Sequence, residues 1–166
     1  SSDYLQCALY LANPVRAERA GQELANAITT AMVTPDAIVA PALGGIIIGH
    51  ETARAFKAPF LFTERVDGVM ALRRGFGVGP KQAIVVVEDV VTTGGSTKEV
   101  IELIESIGGC VIGVASVVNR SGVDNPFEPR PYAALLKVSF PTWKPNQCPL
   151  CRQGKPLHKP GSRPVK

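Results

Sequence analysis

The spacing of apolar residues changes several times along this chain, and each change marks an element. Ala17, Ala20, Leu24, Ala27, Ile28 and Ala31 recur at helical spacing. Asn13-Pro14 stands in front of them as N-cap and first helical residue, and Pro35-Asp36 ends the pattern. Ala37 to Ala40 reads as a short strand, Pro41 to Gly45 as a turn and Ile46 to Phe56 as the next helix. Pro59 to Thr63 is a second strand. Ala83-Ile84-Val85-Val86-Val87 is apolar without alternation, as in a strand buried on both faces. A helix follows through Val100, Ile101, Ile104 and Ile107, stopped by Gly108-Gly109. Cys110 to Val118 and Ala133 to Val138 are the last strands. Strands alternate with helices, which predicts an α/β fold with a central, mostly parallel sheet and flanking helices.

Two segments break the alternation. Residues 64–82 mix Glu64, Arg65, Asp67, Arg73, Arg74 and Lys81 with four glycines, the composition of a mobile loop or hairpin. From Pro141 onward the chain is Pro-rich and irregular.

Composition narrows the class. At 166 residues, with 45% hydrophobic and 19% charged side chains, the chain can bury one core, and disorder, coiled coil and collagen are excluded. No apolar run has the ~18–20 residues of a membrane span, and the first residues have no signal-peptide character. The chain starts at Ser1 without Met, which points to a piece lying upstream. The net charge of +4 is a property of the tail: Arg152, Lys155, Lys159, Arg163 and Lys166 come without an acid and leave the first 151 residues at −1. The body is therefore not a basic nucleic-acid binder. Cys7 and Cys110 sit in apolar contexts and read as small core residues. Cys148-Pro-Leu-Cys151 is a single C-x2-C; even with His158 it falls short of four zinc ligands and reads as a tail turn.

The chemistry concentrates in Val85-Val86-Val87-Glu88-Asp89-Val90-Val91-Thr92-Thr93-Gly94-Gly95-Ser96-Thr97. A buried strand ends in two carboxylates. Hydroxyls and glycines follow, and then a helix starts. Backbone N–H groups at a helix N-terminus favour an anion, glycines permit close approach, and Thr92, Thr93, Ser96 and Thr97 add hydroxyl donors. Two acids beside a phosphate cradle would repel the phosphate, so they must serve another part of the ligand. Sugar hydroxyls, or positive charge on a ribose ring, fit that need. A P-loop motif is missing, and Gly75-Phe76-Gly77-Val78-Gly79-Pro80 opens no helix.

The segment Val85 to Thr97 resembles the phosphoribosyl-pyrophosphate (PRPP) motif of the type I phosphoribosyltransferases. Wider context resembles the bacterial orotate phosphoribosyltransferases: Ser2-Asp3-Tyr4-Leu5, Pro41-Ala42-Leu43-Gly44-Gly45, Leu72-Arg73-Arg74-Gly75-Phe76, Val118-Asn119-Arg120 and Cys148-Pro-Leu-Cys151. The resemblance covers essentially the whole chain. It implies transfer of a 5-phosphoribosyl group from PRPP to orotate, with Mg²⁺ carried on PRPP rather than held by the protein, in a cytoplasmic homodimer.

By this resemblance, Glu88, Asp89, Val90, Val91, Thr92, Thr93, Gly94, Gly95, Ser96 and Arg65 contact PRPP, with Glu88, Asp89 and Arg65 as catalytic residues. Thr92 and Arg120 meet orotate, and Pro41, Ala42, Leu43, Gly44 and Gly45 form the pyrophosphate loop. Residues 1–145 form the transferase domain, with 64–82 as its flexible catalytic loop reaching the partner's site; residues 146–166 form a Pro- and base-rich tail. The helices that hood the base would lie upstream of Ser1.

Relatives usually carry more Lys and a His in the catalytic loop. This chain has neither Lys nor His between Glu64 and Pro80, and Gly44 stands where some relatives have Lys. The alternatives are a transferase for another base, which would keep Glu88 to Thr97 but lack the Arg120 and Leu72–Phe76 context, and a transferase-fold RNA-binding regulator, which would need its basic face from the tail.

Overall fold

The computed structural model describes residues 5–141 and 143–155. Its elements are α1 (Cys7–Leu11), α2 (Pro14–Ala31), β1 (Ala37–Pro41), α3 (Gly45–Phe56), β2 (Phe60–Val66), β3 (Val69–Leu72), β4 (Ala83–Val91), α4 (Gly95–Ser106), β5 (Cys110–Asn119) and β6 (Tyr132–Lys137). A 3₁₀ turn at Pro145–Gln147 and a one-turn helix α5 (Pro149–Arg152) follow.

The sheet order is β3-β2-β1-β4-β5-β6. Only the β2–β3 pair is antiparallel; the other four pairs are parallel. Residues of β4 alternate between two cores. Val85 and Val87 pack with Leu24, Ile28 and Ile48 of α2 and α3. Ile84 and Val86 pack with Val100, Ile101 and Ile104 of α4. Both faces are therefore covered, which is why the strand reads as an unbroken apolar run.

Helix α2 begins as expected: the Asn13 side chain accepts the Arg16 N–H at 3.1 Å, with Pro14 next to it. Its buried face includes Gly21 and Ala25, while Ala31 is exposed, so the stripe is rotated from the expected one. Crowding explains the small residues. A Cβ on Gly21 would stand 2.6 Å from Glu51 Cβ of α3.

Some sequence expectations need correction. The strand that carries the two acids does not end at them but runs on to Val91. Of the loop or hairpin expected at 64–82, the first half takes the hairpin form: Arg65 pairs with Met70 and Val66 with Val69. Cys7 is buried, but Cys110 is exposed at the very start of β5. Helix α1, at five residues, is too short to show a helical period in the sequence. Ser2, Asp3 and Tyr4, as well as His158, Lys159, Arg163 and Lys166, lie outside the described residues. Among the described residues no helix is long and apolar enough to cross a membrane.

Candidate functional site

The chain leaves β1 through α3 toward β2, on one side, and leaves β4 through α4 toward β5, on the other. β1 and β4 are neighbours, so the crevice between their carboxyl ends is a topological switch point, the place where open α/β sheets bind ligands. The two turns that open there are Pro41–Gly44 and Thr92–Gly94.

The first turn is tethered at both ends. Ala42 N–H donates to the Thr63 carbonyl at 2.7 Å, and Ile46 N–H donates to the Leu43 carbonyl at 3.2 Å. The Ala42–Leu43 peptide is cis, and Leu43 stands out at 81% exposure. Gly44 lies against Asp89: a Cβ placed on it would be 2.8 Å from both carboxylate oxygens. The second turn needs a left-handed residue, and Gly94 supplies it at φ 74°. Thr92 and Thr93 are exposed and Ser96 partly so. Gly95 N–H points to Thr93 Oγ1 at 3.4 Å. The first-turn amides of α4 have no carbonyl partner within the helix, the arrangement that favours an anion. Thr97, expected as a further hydroxyl donor, is buried in the α4 packing face instead.

Glu88 and Asp89 differ in environment. Glu88 is buried and pairs across the ladder with Ser116. Burial, with the adjacent Asp89 charge and a hydrogen bond to the Asp89 side chain, pushes its carboxyl well above the ordinary range. Asp89 is only partly buried, and its Oδ1 accepts the Val90 N–H at 2.8 Å. The charge of Asp89 also reaches α1. Burial first, and Asp89 second, push the Cys7 thiol up to about 11.

Val90 and Val91 sit in the same segment but give their side chains to the two cores. The Val91 carbonyl is taken by the Arg120 N–H at 2.8 Å. That bond seats Arg120 beside Thr92, the two residues expected to meet one planar ligand. The Arg120 guanidinium lies 5.3 Å from the Phe140 ring centroid, a stacking partner that nothing in the sequence pattern flagged. The 120–124 turn is ordered by Asn119, whose amide donates to the Val123 carbonyl at 2.8 Å.

Arg65 is on β2, and its guanidinium grips Glu99 of α4 with two contacts, at 2.7 and 2.8 Å. Its Nη1 also donates to the Gly68 carbonyl of the hairpin turn at 2.7 Å. The grip joins the hairpin to the helix that carries the anion cradle. Glu99 is the second partner that sequence reading missed, since one acid on an exposed helix face carries no signal. Arg74 is held at Glu64, 3.0 Å away, over the Phe62 ring. Thus the cradle, the acid pair, the Pro41–Gly45 turn and Arg120 come together at the switch point. Arg65 is tied in through α4. Two cavities, about 220 Å³ at Asn119, Asp124 and Lys137 and about 250 Å³ at Lys98, Phe127 and Arg130, are lined by other residues.

Comparison with known proteins agrees with this geometry. Residues 10–131 match the phosphoribosyl transferase domain. The chain is 49% identical to the orotate phosphoribosyltransferase of Carboxydothermus hydrogenoformans, over 98% of this chain and 85% of that one. It is 48% identical to the enzyme of that name from Thermotoga maritima, over 100% of this chain and 87% of the other. Among solved structures, an orotate phosphoribosyltransferase from Mycobacterium tuberculosis in complex with inorganic phosphate superposes with a TM-score of 0.68 at 20% identity, over 81% of this chain and 78% of that one. An adenine phosphoribosyltransferase from Thermoanaerobacter pseudethanolicus gives the same TM-score of 0.68 at 20% identity, over 78% and 84%. The structural likenesses show the shared fold; the sequence identities single out the family.

Proposed function

This chain belongs to the orotate phosphoribosyltransferase family, and from that premise we propose that it moves the 5-phosphoribosyl group of PRPP onto orotate. The products are orotidine 5′-monophosphate and pyrophosphate, a step of pyrimidine nucleotide synthesis. The observation that carries the reading is the meeting of the Pro41–Gly45 turn with the Glu88-Asp89 pair and the Thr92–Ser96 cradle at one switch point.

The residues divide the ligand between them. The amides and hydroxyls of Thr92, Thr93, Gly94, Gly95 and Ser96 hold the 5′-phosphate. Asp89 faces the ribose hydroxyls and offsets the positive charge that grows at the anomeric carbon. Glu88, buried next to it, accepts the Asp89 N–H at 3.3 Å and so helps to hold Asp89 in place. The Pro41–Gly45 turn faces the leaving pyrophosphate. Arg120 and Thr92 orient orotate, where a guanidinium fork suits a planar anion.

Arg65 supplies positive charge from the hairpin. Oxygen donors such as the Asp89 carboxylate and the turn carbonyls are of the hard kind that suits Mg²⁺. Mg²⁺ carried in on PRPP would supply positive charge to the leaving group there. Positioning and charge stabilisation supply the catalysis, and no covalent nucleophile is required. A cytoplasmic homodimer, with the hairpin of one protomer serving the site of its partner, belongs to the same reading.

The test is the loss of orotate absorbance with PRPP and Mg²⁺, with adenine and uracil offered in parallel. Consumption of orotate alone supports the assignment. Consumption of adenine or uracil in its place moves the chain to another base.

A further inference from the structure

All four cysteines are thiols, and two of them share a single turn. Cys148 is the N-cap of α5, and Pro149 fixes the first helical position. Cys148 Sγ accepts the Cys151 N–H at 3.4 Å, which folds the two cysteines into one turn. Cys151 is exposed and Cys148 partly so. A reagent can therefore reach the pair, and the turn already holds both sulfurs. The pair supplies the two thiols of a disulfide, and half of the ligands a structural zinc site takes.

We propose that Cys148 and Cys151 form a thiol–disulfide exchange site whose co-reactant is a low-molecular-weight disulfide. The order of events follows from the Cys151 N–H, which points at Cys148 Sγ and not at its own sulfur. The Cys151 N–H and the Cys151 thiol both favour the thiolate of Cys148, holding its thiol below the ordinary value. The same thiol contact raises Cys151, which stays protonated longer. Cys148 sulfur attacks one sulfur of the incoming disulfide; a Cys148–S–S–R bond forms and the first thiolate leaves. Cys151 then gives its proton to solvent and attacks Cys148 sulfur, expelling the second thiolate. In sum, two protein thiols lose two electrons and two protons, and one small disulfide becomes two thiols. This chemistry is separate from phosphoribosyl transfer and does not depend on it.

The experiment treats the reduced full-length chain with glutathione disulfide and follows the 148–151 peptide by mass spectrometry. The wild-type peptide is expected to lose the mass of two hydrogens. Cys151→Ser is expected to stop with glutathione on Cys148. Cys148→Ser is expected to react about tenfold more slowly. Cys110, exposed on β5, is the internal reference, and Cys148 should outpace it. Equal rates for the two variants, or a wild-type peptide carrying two glutathiones and no internal bond, would overturn the proposal. So would thiols that stay silent until a chelator removes bound zinc, which would assign the pair to a metal.

Discussion

Gly44 is the surface on which the Asp89 carboxylate rests. Both carboxylate oxygens would lie 2.8 Å from a Cβ at position 44. The position therefore needs glycine for space: its own φ is −59°, which any residue adopts. Gly44→Ala is expected to turn Asp89 out of place. The result should be a KM for PRPP raised by about tenfold, or ~1.4 kcal/mol, with little change in Tm. Gly44→Lys, bulkier still, is expected to do worse than alanine. Steady-state kinetics with PRPP varied, beside a thermal melt, checks both; an unchanged KM would refute the contact's role.

Glu88 ties stability to pH in the direction opposite to an ordinary paired carboxylate. Its native-state value is raised, so the folded chain holds this proton more tightly than the unfolded one. The contribution is fully present below the ordinary value of 4.5 and is lost as pH rises through the raised one. Glu88→Gln keeps the neutral shape and should flatten that part of the Tm-against-pH curve. At alkaline pH it should melt higher, by roughly 2–4 °C for each ~1 kcal/mol relieved. A series of melts from acid to alkaline pH decides it.

Arg65 and Glu99 form a half-exposed pair, with side-chain exposures of 39% and 41%. Such a pair stabilises the fold by at most about 1 kcal/mol. Arg65→Ala should therefore leave Tm nearly unchanged. If Arg65 acts on pyrophosphate, kcat/KM for PRPP should fall by roughly tenfold or more, and Glu99→Gln should cost less. Kinetics and melts on both single variants separate the two roles.

Gly94 has no room for a side chain. At φ 74° an L-residue is strained, and a Cβ would come within 3.0 Å of the Phe127 ring. Gly94→Ala is expected to lower stability by about 1 kcal/mol or more and to weaken PRPP binding through the distorted cradle. Chemical denaturation and PRPP titration should move together.

Arg120→Ala should raise KM for orotate by about 10- to 100-fold, the range for a lost charge-assisted hydrogen bond, and leave KM for PRPP near its starting value. Phe140→Ala should produce a smaller change in the same direction, since the ring only steadies the guanidinium. Orotate and PRPP varied separately give the split.

The chain's order of elements was legible because it is written locally. Helical spacing after Asn13-Pro14 and the apolar run at Ala83–Val87 each depend on neighbours a few residues apart. The acids, hydroxyls and glycines of Glu88–Thr97 are equally local, so the cradle could be read from its own segment. Tertiary structure alone decided the rest. Val90 and Val91 lie in the segment expected to form the site, and the pleat turns their side chains into the two cores. The difference between Glu88 and Asp89 comes from packing, which buries one of two adjacent carboxyls. Gly44 meets Asp89, Arg65 meets Glu99, and Arg120 meets Phe140 only because sheet register brings separate segments together. None of these contacts has a spacing in the chain that could announce it.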